Sequence, residues 1–518
     1  MPRSGGPEPP LPNGRTAPGA RRRLVAVGVL VVLLAGTALT YRSLLAVQQE
    51  LFENGLPSPD PTGYPRPGVD LTAAQASLDR YWPLVAGVVA LYLAVLVTVR
   101  FGTRLVGLLA ACAAAVGQLV LLPTRPGLSI DLYSYVAHGY LANQPFSSPY
   151  QVAAAQVAGA PIGPVLLDLG WMPVHPETPY GPFWTHLESL SVAVSADDVG
   201  RAALLLKVVV TAASIGTGVL AFFIAEQVRA GLGPLAATAW LLNPVAVVEF
   251  AVEGHNDAVP VFLTACALLA ALRGWAVTAV VTLALASLTK YTPAALGLAV
   301  LVMLLRSGRP VRRTWLGVGV GLLASVGLAW LLWQRWWTGW DTLAGLRAST
   351  TVAPTDSPAG WLTAPWSDPY ADPYAVQSSL VPQLVLAGVV LLVVLAASWG
   401  RTAGAWLAGC AAIALAVLAV SPTYWPWYAA LPIAVLAVRP AWVSLVQVTA
   451  LTVGSRIAAP WGDLAALGLV PYQDANRIGT LTGLTVPLGV CVLAAAVALP
   501  VHLWRGRRRS SSAERSLS

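Results

Sequence analysis

Charge is what this chain has least of. Asp, Glu, Lys and Arg supply only 10% of its 518 residues, whereas 56% are hydrophobic and the mean hydropathy is +0.67. A soluble domain carries roughly a quarter of its residues charged, so this composition excludes an ordinary soluble protein and identifies an integral membrane protein. Cysteine is nearly as scarce. Cys112, Cys266, Cys410 and Cys491 each fall inside an apolar stretch, where they read as small buried hydrophobes; neither a disulfide framework nor a metal site is indicated. Polar sequence long enough for a soluble domain of about a hundred residues is absent. So is a small-residue cleavage site after the first apolar run, which makes the run behind Arg21, Arg22 and Arg23 a retained span and not a cleaved leader.

What the chain does have is apolar blocks of roughly 15 to 25 residues, each able as a helix to cross about 30 Å of hydrocarbon. They run 24–40, 82–99, 105–122, 203–224, 232–250, 258–272, 275–289, 293–305, 314–333, 381–398, 404–420, 427–438, 441–454 and 480–503, with Pro, Gly and charge between them. The predicted architecture is an all-α polytopic membrane protein of about 12–14 transmembrane helices, the shorter blocks being open to a re-entrant reading. Residues 21–504 form one transmembrane domain between a Pro- and Gly-rich stretch, 1–20, predicted to be disordered, and a basic tail, 505–518.

Cationic residues flanking spans stay in the cytoplasm. With Arg21 to Arg23 inside, alternate connections carry Arg100 and Arg104, Arg229, Arg273, the run Arg306, Arg309, Arg312 and Arg313, then Arg401, Arg439 and the tail from Arg505 to Arg509. Both termini are thus predicted to be cytoplasmic. The same threading leaves every Asp and Glu outside except Glu8, Glu226 and Glu514, although acidic residues did not set it. The net charge of +8 is mostly this inside signal. Its residues are short flanks and not a folded patch, so a nucleic-acid partner is not indicated.

Three outer connections exceed a turn: 41–81, 123–200 and 334–380. The first is rich in Pro and acid and has no readable function. The third carries Trp336, Trp337, Trp340, Trp361 and Trp366, which suits a segment at headgroup level. The second is the densest in polar and aromatic residues, and long ordered loops on a membrane scaffold are where function concentrates. Within it, residues 131–143 have helical spacing with Leu132, Tyr135, Val136 and Tyr140 on one side, as in a helix resting on the membrane plane. Asp131 stands at the N-terminal end of that helix, among Tyr133, Tyr135 and His138. An acid there caps the helix or serves as a base, and neither role excludes the other.

Further along, Pro173, Pro176, Pro179 and Pro182 stiffen a loop that holds His175, Tyr180 and Trp184. Asn243-Pro244 should kink a span, and Glu253, His255, Asn256 and Asp257 gather at the outer turn that follows, where clustered ionisable groups point to function. His255 and Asp257 are too close in sequence to form more than part of a metal site. Lys290 lies where two short spans meet outside, against the positive-inside tendency; a lipid phosphate accounts for it, and so does snorkelling to headgroups. Tyr424, Trp425, Trp427 and Tyr428 crowd a last outer turn, as walls for sugars or an isoprenoid chain, or as an interfacial belt.

Taken in order, Asp131-Leu-Tyr-Ser-Tyr-Val-Ala-His-Gly-Tyr, Ser148-Pro-Tyr150, Thr178-Pro-Tyr-Gly-Pro182, Asn243-Pro with Gly254-His-Asn-Asp257, Lys290, and Ser421-Pro with Pro426-Trp-Tyr428 resemble the actinobacterial polyprenyl-phosphomannose-dependent α-1,6-mannosyltransferases. The likeness covers about residues 105–440, and the ordered set is far more specific than any single motif. It implies a GT-C-type bundle with extracytoplasmic juxtamembrane helices and loops, and a role in building cell-envelope lipomannan at the plasma membrane. In that family the first large outer loop carries a catalytic acid, and Asp131 is the residue that matches. The chain departs from the pattern in its long first outer segment and in Asn143-Gln-Pro-Phe, which stands where a Gly-rich turn is expected.

The chemistry fits independently. A hydroxyl attacking the anomeric carbon of a lipid-phosphate sugar needs one base, and the departing phosphate needs positive charge but no proton. A second catalytic carboxylate, as in glycoside hydrolases, is not required. Asp131 is therefore the expected base or acceptor-orienting group, and Lys290, Arg335 and Arg456 the expected phosphate ligands. Glu253, His255, Asn256, Asp257, Tyr133, Tyr135, His138, His175, Tyr180, Tyr424, Trp427 and Tyr428 are the expected substrate-binding residues. The partners are a polyprenyl-phosphate-linked sugar donor, a glycan or glycolipid acceptor and membrane lipid; no cofactor is called for, and a divalent metal is not indicated. The alternative is a lipid-linked sugar flippase or transporter, which also needs many spans with breaks. Lys207, inside the fourth span, favours it; the absence of an internal repeat and the confinement of ionisable residues to outer connections oppose it. A purely structural role is opposed by the ordered polar clusters.

Overall fold

The computed structural model describes residues 18–55, 71–145, 147–171, 177–348, 352–366, 375–377, 381–400, 402–421, 423–461 and 470–498. Residues 1–17, His175, Arg401 and the basic tail lie outside this set. Helices α1 (Pro18–Gly55), α2 (Leu71–Phe101) and α3 (Arg104–Leu121) precede α4 (Asp131–Asn143), α5 (Gly163–Asp168) and α6 (Pro182–Val194), which fold the long outer segment. Next come α7 (Val199–Val228) and a broken span, α8 (Gly233–Leu241) with a π-helical stretch at Ala246–Val252. The chain continues through α9 (Ala258–Leu272), α10 (Ala276–Ser287), α11 (Gly297–Leu305) and α12 (Val311–Trp333). Two short helices, α13 (Ala344–Ala348) and α14 (Pro358–Thr363), and an antiparallel ribbon of β1 (Val352–Pro354) and β2 (Ala375–Gln377) follow. The bundle closes with α15 (Val381–Trp399), α16 (Ala403–Ala419), α17 (Ala430–Ala437), α18 (Trp442–Ala458) and the helical stretch Asp474–Ala498.

The protein is thus an all-α polytopic membrane protein, with two three-residue strands as its only β-structure among the described residues. Among the described residues each apolar block falls largely on helix, but not every block crosses a bilayer alone. Among the described residues 7 helices are long and apolar enough to do so, or 8 if the pair Gly233–Leu241 and Ala246–Val252, bent by 58°, is counted as one span. Five further apolar helices are shorter, and Pro293 and Pro426 stand in the first turn of two of them, where proline is tolerated. The free cysteines include Cys410 and Cys491 as buried side chains, while Cys266 is half-buried and Cys112 exposed on the helix surface.

The first outer segment is less of a loop than expected. Residues 41–55 and 71–81 continue α1 and α2 beyond the apolar blocks, and Tyr41, Leu44, Val47 and Leu51 pack against Tyr81 and Val85 in a core of their own. Glu50 ties the two extensions together by accepting hydrogen bonds from Ser77 at 3.0 Å and from Arg80.

Asn243-Pro244 breaks the helix of the fifth apolar block as expected, and side chains take up the backbone groups that the break frees. Carbonyls freed near the break are taken up by the Tyr92 hydroxyl (to Ala239, 2.7 Å) and the Gln118 amide (to Leu241, 2.8 Å). Asn243 itself donates to Thr452 at 2.8 Å and accepts from the Val245 N–H at 2.9 Å. All these groups are buried, where an unpaired one is costly.

Arginine-bearing turns meet at one end of the bundle. Arg104 lies 3.6 Å from Glu226 at the end of α7, Arg306 donates to the Ser398 carbonyl at 2.5 Å, and Arg309 packs against Gly274. From that end α9 and α10 run antiparallel, so that Asp257, before α9, and Lys290, after α10, come together at the other end.

Candidate functional site

The opposite end is built around α4. Its bounds agree with the helical spacing, but it does not rest on a membrane surface: ten of its thirteen residues, from Leu132 to Ala142 except Tyr140, are buried, with α6 and α7 packed around it. Asp131 is its first residue and does not cap it through its side chain; the capping position is Ile130, without a side-chain bond. Instead the Ser129 hydroxyl accepts the Asp131 N–H at 3.2 Å. The Asp131 carboxylate is therefore not spent on capping and faces Tyr135, His255 and Lys290 instead.

The approach to Asp131 is held by Glu253. Its carboxylate, fully buried, accepts from the backbone N–H groups of Gly127 (3.1 Å), Leu128 (3.2 Å) and Ser129 (3.2 Å). Three oriented N–H dipoles make a nest for an anion. Lys207 donates to the Thr124 carbonyl in the same loop. This lysine, inside α7, thus fastens the loop that leads to Asp131.

Glu253 reaches this position because the chain turns sharply after the π-helical stretch. Gly254 takes a left-handed backbone, φ +78°, where a Cβ would also meet Leu132 and Lys207 at 3.1 Å. The turn presents His255, Asn256 and Asp257. His255 is completely buried and joined on three sides: Nδ1 is 2.9 Å from Glu249 Oε2 and 3.2 Å from the Glu249 carbonyl, Nε2 is 3.0 Å from Ser129 Oγ, and its ring stacks on Trp427 at 3.6 Å. Asp131 Oδ2 lies 3.9 Å from Nε2. Burial pushes the Asp131 carboxyl up from its ordinary range, with His255 and Lys290 pulling it back, while burial pushes His255 down against the pull of Asp131.

Lys290 and Asp257 form the second half of the site, with Nζ 2.9 Å from both carboxylate oxygens. Nζ also sits 4.2 Å from the centre of the Tyr428 ring and 6.0 Å from that of Tyr180. The Pro-rich loop explains the placement of Tyr180. Gly181 and Phe183 donate to the carbonyls of Thr289 (2.9 Å) and Leu288 (3.0 Å), and a Cβ on Gly181 would lie 2.1 Å from the Leu288 oxygen, so only glycine allows this approach. Tyr135 packs edge-on against Tyr180 and Trp184, and its hydroxyl is 3.5 Å from the Asn256 N–H.

The structure therefore brings together Asp131, Tyr135, Tyr180, Glu253, His255, Asn256, Asp257, Lys290, Trp427 and Tyr428. It does not bring in the two expected arginines. Arg335 donates to the Ala142 carbonyl at 2.5 Å, at the far end of α4. Arg456 is buried in α18 with its guanidinium against Glu249 Oε1, where it neutralises a carboxylate and does not reach Lys290. His138 faces Glu188 at 3.9 Å in the interface of α4 and α6. Tyr133 is buried in the first turn of α4 beside Arg125, and Tyr424 packs against Gly483. Trp336, expected at headgroup level, is buried against Tyr150 and His186. Among the described residues no group of three or more His, Cys, Asp or Glu side chains is arranged to hold a metal ion.

Two residues went unnoticed in the sequence. Glu249, an acid inside the apolar run Ala246–Val252, carried the signal that an ionisable residue within a span is rarely idle. Ser129 carried none.

An apolar cleft of about 310 Å³ lies between α10, α11 and α12, lined by Leu283, Ser287, Ala294, Leu301, Val318 and Leu322 among others. Ser287 and Ala294 flank the turn that carries Lys290. A larger cavity of about 570 Å³ between α2 and α18 is equally apolar, but its one charged lining residue is Arg100, away from this cluster.

Comparison with known families gives one match: residues 72–307 fit the model of the MptA_B family, alpha-(1->6)-mannopyranosyltransferase, N-terminal domain. That stretch contains Asp131, Glu249, Glu253, His255, Asp257 and Lys290. No curated protein matches the chain.

Proposed function

We propose that this chain, whose residues 72–307 match the alpha-(1->6)-mannopyranosyltransferase N-terminal domain model, moves mannose from a polyprenyl-phosphate donor to a hydroxyl of a glycan or glycolipid. The transfer inverts the anomeric centre and forms an α-1,6 linkage, in a GT-C-type bundle whose site opens on the outer face of the plasma membrane. One observation carries this reading: Asp131, with 18% of its side chain exposed, shares a site with Lys290, whose turn is flanked by Ser287 and Ala294 of an apolar cleft. An isoprenoid tail suits the cleft, and its phosphate then meets the Lys290 ammonium. The leaving phosphate takes the bonding pair from the anomeric carbon and needs that cation, but no proton.

Asp131 accepts the proton of the attacking hydroxyl on the far side of the sugar. Asp257 holds Lys290 extended between Tyr180 and Tyr428, and those rings, with Trp427, form walls suited to sugar faces. The outer location draws its support from the arginines, which gather at the other end and belong in the cytoplasm.

The test uses full-length protein in membranes with labelled polyprenyl-phosphomannose and a short α-mannoside. Wild type yields a lengthened mannoside, and Asp131→Asn retains donor binding but loses transfer by about 10²-fold or more, the usual size of a base effect. Full turnover by Asp131→Asn would remove the base assignment. Label that crosses the bilayer unmodified would replace the transferase by a flippase.

A further inference from the structure

Below the site, four buried side chains form a line that ends on a fifth, Asp131: Arg456 on Glu249 Oε1, Glu249 Oε2 on His255 Nδ1 at 2.9 Å, and His255 Nε2 on Ser129 Oγ at 3.0 Å with Asp131 Oδ2 at 3.9 Å. Substrate binding uses none of the first three, and a buried arginine–glutamate pair is expensive to maintain unless its geometry serves something. The acceptors fix the imidazole tautomer. Nδ1 faces both the carboxylate and the carbonyl of Glu249, so it carries the hydrogen, and Nε2 presents a lone pair toward Ser129 and Asp131. Ser129 Oγ already accepts the Asp131 N–H, so its own hydrogen is free to point at Nε2.

We propose that His255 is the second stop of the proton removed from the acceptor hydroxyl, with Glu249 and Arg456 as positioning residues that hold it ready. The proposal rests on Asp131 being the base. The acceptor oxygen bonds to the anomeric carbon as the carbon–phosphate oxygen bond breaks, and the phosphate departs with the electron pair. The hydroxyl proton passes to Asp131 and then to His255 Nε2, directly or through the Ser129 hydroxyl. The imidazolium so formed lies between Glu249 and the restored Asp131 carboxylate, and after the product leaves its proton reaches water back through Asp131, the one member of the line with an exposed edge. Asp131 is thereby an anion again before the next acceptor arrives.

The charges facing His255 come from every side. Asp131 approaches from α4, Glu253 and Asp257 from its own turn, Lys290 from the turn after α10, and Glu249 from the π-helical stretch. Glu253 is engaged by backbone N–H groups and Asp257 by Lys290, which leaves Asp131 and Glu249 as the carboxylates that touch the ring nitrogens. The Trp427 ring covers one face of the imidazole and confines it to the plane of this line.

Two variants of the full-length protein test the relay with the same labelled donor and mannoside. In His255→Asn the amide nitrogen still donates to Glu249, but no basic nitrogen faces Asp131. We expect kcat to fall at least 10-fold with donor and acceptor KM within about 2-fold of wild type. His255→Ala opens a slot beside Trp427, and added imidazole should restore kcat in proportion to the neutral base. Wild-type kcat in His255→Asn overturns the relay, and so does a His255→Ala enzyme that binds donor but gains nothing from imidazole. Loss of donor binding in both variants assigns His255 to structure and equally refutes it. Failure of the wild type to make any mannoside product is a different result, which strikes the proposed function.

Discussion

The two ends of the bundle treat charge in opposite ways. At the arginine end, Arg104 stands 3.6 Å from Glu226 with 58% of its side chain exposed, and Arg273 and Arg100 lean on Trp275 and Phe101 at 5.0 and 5.8 Å. These cations are loosely held and solvated, as residues whose work is to mark a membrane face need only be. At the other end, Lys290 and Asp257 are 2.9 Å apart and each is 11% exposed, while Glu249, Glu253 and His255 are almost wholly buried. Removing such groups from water is costly, and it is tolerated here because each has partners of fixed geometry. In the proposed function, the contrast separates charge that sets orientation from charge that serves chemistry.

Within the buried end a finer contrast separates Glu253 from Asp131. Both are carboxylates at the turn into α4, yet Glu253 is saturated by three backbone N–H groups and Asp131 keeps an exposed edge. One anchors the turn, and the other is the base of the proposed function.

Three substitutions sharpen these contrasts. The largest effect after Asp131→Asn is expected from Lys290→Met, which removes a charge-assisted contact of about 1.5–3 kcal/mol and should weaken binding of labelled polyprenyl-phosphomannose roughly 10- to 100-fold. The same variant shifts the pH profile with a definite sign. Asp131 must be ionised to act, so activity is lost as pH falls through its raised pKa. Lys290 lowers that pKa, so its removal moves the acid limb of kcat/KM to higher pH. An unmoved limb would separate Lys290 from the base.

Next is Glu253→Gln, which sets an amide against backbone donors; a loss of about 1–3 kcal/mol in stability is expected, visible as a lowered Tm in detergent, together with reduced kcat. Unchanged stability would show that the nest does not hold the loop. Smallest is Arg104→Ala, an exposed pair for which at most about 1 kcal/mol is expected, with transfer unaffected. A large loss of activity there would dissolve the distinction between the two ends.

Much of this was legible in the sequence. Apolar blocks located the helices, Asn243-Pro244 located the break, and the bounds of α4 followed from spacing after Asp131. What was not legible depended on neighbours distant along the chain. α4 was expected on a membrane surface because its own pattern does not reveal α6 and α7 around it. Arg335 and Arg456 looked like free cations because their partners, Ala142 and Glu249, are 193 and 207 residues away. Glu249 itself was hidden by hydrophobic neighbours that make its stretch read as ordinary span. Residues 41–55 were taken for loop because the partner that buries them, the start of α2, lies beyond a Pro-rich break.

The account stands on the two ends facing different compartments, with mannose transfer on the side away from the arginines. Single cysteines at Tyr291, next to Lys290 and 45% exposed, and at Arg104, placed in a chain whose four native cysteines are replaced by alanine, can be labelled with a membrane-impermeant maleimide. The expected result is that intact cells label the cysteine at 291 and only lysed cells label the one at 104. The reverse pattern would contradict the account.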